Sequence, residues 1–229
     1  MNKVWTTLWI VLAGLCAPCA RAGSVDLPFQ IGGAYSVPTT SIREARFSAM
    51  VRQQYDFSCG SAALSTLLTY HYRFPVNEQT VFEEMFAHGE QEKIKKEGFS
   101  MLDMKRYLEA HGYEADGFEA PLEKLNSAGI PAIVLINDHG YNHFVVVKGI
   151  RDSRVLIGDP SGGTRVMPQK AFESIWTNQV LFVISNRQDI AGFNLPSDWR
   201  VSVRAPLGNG VDRQGLGQLV IPKNGSSDF

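Results

Sequence analysis

Cys59 is the side chain in this sequence whose surroundings most favour covalent chemistry. It lies in Q-Q-Y-D-F-S-C-G-S-A-A-L (53–64), where a polar segment meets small and apolar residues at helical spacing. A cysteine in the first turn of a helix faces unpaired N–H groups and the positive end of the helix dipole, and both stabilise thiolate over thiol. Ser58 or Asp56 would cap such a helix, and Gly60 lets a substrate backbone approach closely. The alternative interpretation of Cys59 is a small, inert core residue.

His143 is the best placed of the five histidines to act with a thiolate, because imidazole titrates near neutrality and can protonate a leaving group. It opens the apolar run F-V-V-V (144–147), which predicts a strand that holds its backbone rigidly. The other four lie at predicted helix ends or in a predicted turn: His71, His88, His111 and His139. A single histidine beside a strand is more often structural, so the pattern needs partners.

Asp159 is the candidate for a third group, which would fix the tautomer and orientation of the imidazole. It follows the apolar run V-L-I-G (155–158) and precedes Pro160. If the strands on either side of residues 152–153 pair through a turn there, Asp159 comes within reach of His143. An acid before proline is also an ordinary turn signal.

Gln53 completes the candidate set. Acyl transfer develops an oxyanion that needs preorganised donors, and the side-chain amide of Gln53, six residues before Cys59, can join the Cys59 backbone N–H. Gln54 is the competing candidate. The sequence has no C-x-x-C, no H-E-x-x-H, no close pair of histidines and no glycine-rich phosphate loop after a strand. We therefore predict no metal and no cofactor.

The elements that must position these residues change in type along the chain. Helical spacing and capping residues predict three helices: 59–72, one from an Asn77 cap to Phe86, and one from a Ser100 cap, with Asp103 three residues on, to Gly112. A short strand is expected at 47–52. The charged segment 89–97 is predicted to be a solvated loop or a helix end.

After Pro121 short β-rich runs alternate with Gly, Asp and Pro. They predict five strands, 130–137, 143–150, 155–158, 164–167 and 179–185, with a helix at 169–176 before the last. Helices followed by antiparallel strands predict an α+β domain over residues 46–187. An N-terminal arm (23–45) would precede it, and a tail containing Gly and Pro (188–229), loosely ordered or docked as an extended strand, would follow it.

Length and composition leave room for one sizeable globular domain or two small ones. The chain has 229 residues, is 44% apolar and carries a formal charge of −1. This balance excludes collagen-like, mucin-like and strongly disordered classes. It also argues against a nucleic-acid-binding protein, which needs a basic surface.

Residues 1–22 have a short basic start, an apolar run and A-R-A before Gly23, and they predict a secretory signal peptide. The apolar run is too short to span a bilayer, which takes about 20 residues. A lipoprotein anchor at Cys16 or Cys19 is the rival interpretation. Removal of this segment would leave Cys59 as the lone cysteine of a soluble, exported chain, so it is either inert or retained for its chemistry.

Together these motifs resemble the bacteriocin-processing, double-glycine leader peptidases, a family of papain-like cysteine peptidases. The segment Q-Q-Y-D-F-S-C-G-S-A-A-L is similar to the family's glutamine and cysteine motif, which implies Gln53 for the oxyanion and Cys59 as the nucleophile. H-F-V-V-V-K-G-I and V-L-I-G-D-P-S-G-G resemble its histidine strand and aspartate turn, implying His143 and Asp159. G-F-S-M-L-D-M-K-R-Y-L (98–108) is similar to the helix between them. The implied fold is papain-like α+β, with N-terminal helices packed on an antiparallel sheet.

Two departures narrow the resemblance. Ser58 stands where many members have Asp, which alters local capping but not the catalytic set. Members fused to export transporters process leaders in the cytoplasm, whereas this sequence carries the predicted signal peptide, no other apolar segment of membrane-spanning length and no nucleotide-binding motif. It looks most like the stand-alone periplasmic members of Fap-type functional-amyloid secretion systems.

The resemblance implies a periplasmic cysteine endopeptidase that cleaves after small residues, often Gly-Gly, in a secreted protein. Such an enzyme would support functional-amyloid secretion or biofilm formation. The implied partners are amyloid subunits or their outer-membrane secretion channel. Two alternatives stay open at this point: a papain-like amidase acting on cell-wall peptides, and a non-catalytic secretion adaptor that holds a Gly-rich segment in its cleft.

Overall fold

The structure, a computed structural model, describes residues 24–29, 33–38 and 41–201. The chain divides into two units, 1–41 and 42–229. In the first unit, β1 (Ser24–Phe29) and β2 (Gly33–Pro38) pair antiparallel as a hairpin within the predicted N-terminal arm. The predicted signal peptide and residues 202–229 of the predicted tail lie outside the described residues, and the predicted domain boundaries stay predictions.

The second unit joins helices to one antiparallel sheet. Its helices are α1 (Ile42–Phe47), α2 (Cys59–Thr66), α3 (Glu78–His88), α4 (Gln91–Glu97), α5 (Met101–Ala110), α6 (Leu122–Ala128) and α7 (Gln169–Ile175). Its strands are β3 (Ala115–Glu119), β4 (Ala132–Asp138), β5 (Tyr141–Arg151), β6 (Arg154–Asp159), β7 (Gly163–Pro168) and β8 (Val180–Ile184). The sheet order is β3-β8-β4-β5-β6-β7, with every neighbouring pair antiparallel. The predicted α+β class, with N-terminal helices on an antiparallel sheet, is confirmed.

Local hydrogen bonds start the helices where the sequence predicted. The Asn77 side chain accepts from the backbone N–H of Thr80 at 2.8 Å. Ser100 and Asp103 form a capping box, because Ser100 accepts from the Asp103 backbone N–H while Asp103 accepts from that of Ser100. These bonds satisfy donors that have no partner within the helix.

Two local predictions need correction. The strand expected at 47–52 is wrong, because α1 occupies Ile42–Phe47 and no strand follows it before α2. The run R-E-A-R inside α1 consists of good helix formers, and the Val51 N–H bonds to the Thr66 hydroxyl at 3.0 Å instead of to a neighbouring strand. The segment 89–97, predicted to be a solvated loop or a helix end, contains the helix α4. Ile94 is the buried residue of this otherwise polar helix.

Strand β3 and helix α6 are among the elements that were not predicted from the sequence. Strand β3 lies at the edge of the sheet and buries only its first residue, Ala115, so no alternation marks it. Its backbone pairing with β8 holds it in place. Helix α6 buries Leu122 and Leu125 only, a spacing too short to stand out in sequence.

The sheet carries a hydrophobic core on each face. Phe144 and Val146 of β5 join the core that α2, α3 and α5 form, while Val145 and Val147 join the core beneath α6 and α7. This alternation follows from the two-residue period of a strand. Every residue of α2 is buried, so the helix that begins at Cys59 is held rigidly against the sheet.

Residues 188–201 belong to the second unit and contact other parts of it. The Gly192 N–H donates to the His71 carbonyl at 2.8 Å, and the His71 ring bonds to the Gly192 carbonyl at 2.7 Å. The buried Lys148 ammonium lies 3.1 Å from the Asp198 carboxylate. Within the described ranges, no helix combines the length and apolar character needed to cross a membrane.

Candidate active site

Cys59 is the first residue of α2, as the sequence predicted. Gly60 follows it and packs against Phe99, because a Cβ at this position would lie 3.0 Å from the Cβ of Phe99, closer than ordinary contact. Ser58 precedes the helix but does not cap it with its side chain. Its hydroxyl instead accepts from the Tyr55 N–H and donates to the Tyr55 carbonyl, which closes the loop that leads to Cys59.

The register of β5 and β6 places His143 beside Asp159. The strands join through a two-residue turn at 152–153, where both residues have positive φ, as type I′ turns require. Val146 pairs with Gly158, which makes Asp159 a diagonal neighbour of His143 on one face. The Nε2 of His143 donates to Oδ1 of Asp159 at 2.7 Å. The strands thus pair through the turn that the sequence indicated.

The Asp159 carboxylate is held by several donors at once. Oδ1 also accepts from the backbone N–H and hydroxyl of Ser161, at 2.9 and 2.7 Å, and from the Gly162 N–H at 3.1 Å. Oδ2 lies 3.4 Å from the Arg165 guanidinium. Burial alone would raise the pKa of Asp159, but the hydrogen bond and charge of His143, with the donors from Ser161 and Gly162, hold it well below its usual range.

The His143 ring is aimed by the same bond. Because a carboxylate only accepts, Nε2 carries the proton and Nδ1 is the nitrogen that can exchange one. Nδ1 is buried and forms no hydrogen bond of standard geometry with any described residue. Burial alone would lower the pKa of His143, but the hydrogen bond and negative charge of Asp159, with the negative charge of Cys59, raise it to about 9. The structure therefore brings Cys59, His143 and Asp159 together.

Gln53 lies next to this group. Its backbone N–H donates to the Pro160 carbonyl at 3.1 Å, which ties the loop before Cys59 to the turn after Asp159. One N–H of its side-chain amide donates to the Tyr55 carbonyl at 3.1 Å. The second amide N–H forms no hydrogen bond with any described residue. Gln54, the competing candidate, is exposed.

The four remaining histidines take other places. His139 and His88 are exposed, and His111 bonds through Nδ1 to the Tyr107 carbonyl one turn earlier. His71 lies at a helix end, as predicted, and is buried. Burial and the nearby charge of Lys148 lower its pKa to about 4, against smaller opposing effects of Gly192 and Asp198, so it is neutral.

Two residues near the site were not singled out from the sequence. Arg165 of β7 lies against both Asp159 and Asp138, at 3.4 and 3.2 Å. Tyr141, the first residue of β5, has its ring centroid 5.8 Å from that of His143. Tyr141 lies two residues before His143, and residues two positions apart along a strand share a face. That spacing was the signal available for Tyr141. No signal pointed to Arg165.

Among residues 41–201, no group of three or more His, Cys, Asp or Glu side chains is arranged to hold a metal ion. Cys59 forms no disulfide with any described residue.

The sequence is similar to known proteins along most of its length. The model of the Peptidase C39 family matches residues 48–188. The "Probable functional amyloid protease FapD" of Pseudomonas aeruginosa (strain PAO1) is 41% identical over 180 residues, 79% of each chain. The protein of the same name from Pseudomonas fluorescens is 38% identical over 192 residues, 83% of each chain.

A solved structure shares the fold. The peptidase domain of Streptococcus ComA, described as a bi-functional ABC transporter involved in a quorum sensing pathway, superposes with a TM-score of 0.51 at 22% identity. The match covers 60% of this chain and 97% of that domain. It supports the papain-like arrangement of helices on a sheet.

Proposed function

The chain belongs to the peptidase C39 family and is a cysteine peptidase, and on that premise we propose that it is a periplasmic endopeptidase of a functional-amyloid secretion system. Its close relatives are named probable functional amyloid proteases. The observation that carries the assignment of the site is the 2.7 Å hydrogen bond from His143 to Asp159. The negative charge of Cys59 also raises the pKa of the His143 ring.

The first half of the proposed reaction forms an acyl-enzyme. The Cys59 thiolate attacks the carbonyl carbon of the scissile bond, and the Cys59 N–H and the free Gln53 amide N–H stabilise the oxyanion. The carbon–nitrogen bond then breaks as Nδ1 of His143 gives its proton to the leaving amine. Asp159 holds the ring so that Nδ1, and not Nε2, faces the reaction.

The second half releases the product. His143 Nδ1, now neutral, takes a proton from water, whose oxygen attacks the thioester carbon. The carbon–sulfur bond breaks, a carboxylic acid leaves, and Cys59 returns as thiolate beside protonated His143. Protons and charge balance over the cycle without any cofactor.

The proposed substrates are an amyloid subunit or the outer-membrane channel that exports it, cut after small residues such as Gly-Gly. Purified enzyme, Cys59→Ala and the surface control Ser127→Ala would each be incubated with those proteins from the same organism, and with muropeptides as a separate arm. We expect specific fragments with the wild type and with Ser127→Ala, and none with Cys59→Ala. Fragments that persist with folded Cys59→Ala would overturn the site, and cleavage of muropeptides alone would overturn the substrate class.

Periplasmic location and signal cleavage belong to the same proposal. Fractionation of cells expressing the full chain, followed by N-terminal sequencing, is expected to find a periplasmic protein that begins at Gly23. A cytoplasmic protein that keeps residues 1–22 would contradict it. A lipid-linked N-terminus at Cys16 or Cys19 would instead support the alternative interpretation of residues 1–22 as a lipoprotein anchor.

A further inference from the structure

Arg165 contacts the candidate site from its edge strand, and no step of the proposed reaction uses it. The neighbouring strands β4, β5, β6 and β7 contribute Asp138, His143, Asp159 and Arg165 in turn. Nη2 of Arg165 donates to Oδ2 of Asp138 at 3.2 Å and lies 3.4 Å from Oδ2 of Asp159. One guanidinium therefore contacts both the carboxylate that bonds to His143 and a second carboxylate at the end of β4.

The two oxygens of Asp159 have different partners. Oδ1 accepts hydrogen bonds from His143, from the N–H and hydroxyl of Ser161 and from the Gly162 N–H. These bonds fix the orientation of the carboxylate without Arg165. The guanidinium lies 3.4 Å from Oδ2, beyond the range of about 2.7 to 3.2 Å that is usual for an N–H···O bond. Arg165 therefore contributes charge at Oδ2 more than orientation.

Arg165 brings a permanent positive charge to a site whose other charges are mostly negative. Among the described residues, the other groups around His143 that can carry charge come from β4, β5, β6, α2 and the loop before α2: Asp138, Tyr141, Asp159, Cys59 and Asp56. The exposed His139 ring bonds to Asp138. Negative charges favour the protonated form of His143, and Arg165 opposes them. The side chains of Arg165 and Asp159 are 35% and 7% exposed, so water screens their contact incompletely.

We infer that Arg165 is a positioning residue that acts through Asp159: its charge at Oδ2 limits how strongly the carboxylate stabilises the imidazolium form of His143. The inference rests on the proposed peptidase function. A general acid works best when its pKa lies near the operating pH. An imidazolium surrounded by negative charges alone would be a weaker acid and would give its Nδ1 proton to the leaving amine more slowly. Arg165 keeps that proton transferable.

The test titrates the His143 imidazole by NMR in the full chain carrying Cys59→Ala, which removes the thiolate charge and any cleavage. Arg165→Gln and Arg165→Met remove the guanidinium charge, whereas Arg165→Lys keeps a positive charge. The control Arg154→Gln removes the same charge from the other end of β6, which begins at Arg154 and ends at Asp159. That end is about 16 Å away along the strand, whereas salt at physiological ionic strength screens charges over about 8 Å.

We expect Arg165→Gln to raise the pKa of His143 by about one unit, the lower end of the effect of a neighbouring charge, because the guanidinium is partly exposed. Arg165→Met should shift it in the same direction, so the result does not depend on the folding of one variant. Arg165→Lys should stay closer to the parent, and Arg154→Gln should match it. An unchanged or lowered pKa in the folded Arg165→Gln or Arg165→Met variant overturns the inference, as does an equal rise in Arg154→Gln.

Peptide cleavage is measured separately with Cys59 intact, so the two ideas can fail independently. The alkaline limb of kcat/KM reports the free enzyme, and in Arg165→Gln it should move to higher pH together with the pKa from NMR. A chain that cleaves none of the proposed substrates while the NMR pKa rises would refute the peptidase assignment and leave the effect of Arg165 standing. Cleavage with an unchanged pKa would refute the effect of Arg165 alone.

Discussion

The Nε2 of His143 donates to Oδ1 of Asp159 over 2.7 Å, although 16 residues separate them along the chain. The turn at 152–153 folds β6 back on β5, and the resulting register makes the two side chains diagonal neighbours. Because the carboxylate accepts the hydrogen bond from Nε2, the other ring nitrogen, Nδ1, is left to serve Cys59.

The contribution of the His143 and Asp159 pair to stability depends on pH in a defined direction. The folded pKa of His143 is raised from 6.5 to about 9, so its contribution is complete below 6.5 and is lost as pH rises through about 9. The pKa of Asp159 is lowered from 3.8, so its contribution is present above 3.8 and is lost as pH falls below it.

Urea unfolding of the wild type and His143→Gln at several pH values measures this dependence. The difference in unfolding free energy between the two should be larger at about pH 6 than at about pH 10. Peptidase activity should fall over the same alkaline range, because the imidazolium that protonates the leaving amine is lost. A difference that grows above pH 9 would contradict the assignment of the raised pKa.

Substitution of Asp159 should separate orientation from charge. Asp159→Ala removes the acceptor of the Nε2 proton and should lower turnover on the order of 10⁴-fold, the scale seen when an orienting acid fails. In Asp159→Asn, the N–H donors of Ser161 and Gly162, which already point at Oδ1, should hold the amide oxygen in that position. We therefore expect Asp159→Asn to retain more activity than Asp159→Ala.

The imidazole resonances of both Asp159 variants give a second readout. The pKa of His143 should fall from about 9 towards 6.5 in each, since each loses the negative charge. Equal activity of the two variants would show that orientation by the oxygen is unimportant. An unchanged pKa would show that Asp159 does not act on the ring.

Gln53→Ala should lower turnover by about 10² to 10³-fold, the usual cost of one oxyanion donor. Gln54→Ala is the matched control, because it removes an exposed amide from the adjacent position. Both are assayed as kcat with the substrate that the wild type cleaves. A larger loss with Gln54→Ala would transfer the oxyanion role to that residue.

Asp198→Ala should destabilise the fold by about 3 to 5 kcal/mol, because it leaves a buried lysine without its counter-charge. Lys148 is fully buried and 3.1 Å from Asp198. Glu92→Ala is the control. The side chains of Lys95 and Glu92 are 54% and 90% exposed, so their ion pair should contribute less than about 1 kcal/mol. Unfolding in urea gives both values.

The ion pair of Lys148 and Asp198 also tests the predicted end of the domain at residue 187, because Asp198 lies beyond that end. A chain that stops there loses Asp198 and the contact of Gly192 with His71, and it should be destabilised at least as much as Asp198→Ala. Equal stability of the shortened and full chains would show that residues 188–201 are dispensable.

The sequence by itself determined the features that depend on near neighbours. Asn77 and Ser100 start helices through bonds to residues three positions away, and the turn at 152–153 sets the register of β5 and β6. The types and spacing of Cys59, His143 and Asp159 identified a candidate site because such chemistry needs few kinds of side chain. Local bonds and side-chain periods are short-range, so they can be recognised without a fold.

Only the tertiary structure decided the contacts between distant segments. The apolar run H-F-V-V-V-K-G-I gave no sign that Lys148 is buried against Asp198, and nothing linked Tyr141 to Asp56, 85 residues earlier. Strand β3 has no pattern of its own and exists because β8 supplies its hydrogen bonds. Such contacts form when packing brings remote parts of the chain together, and their free energy belongs to the pair, not to either sequence segment.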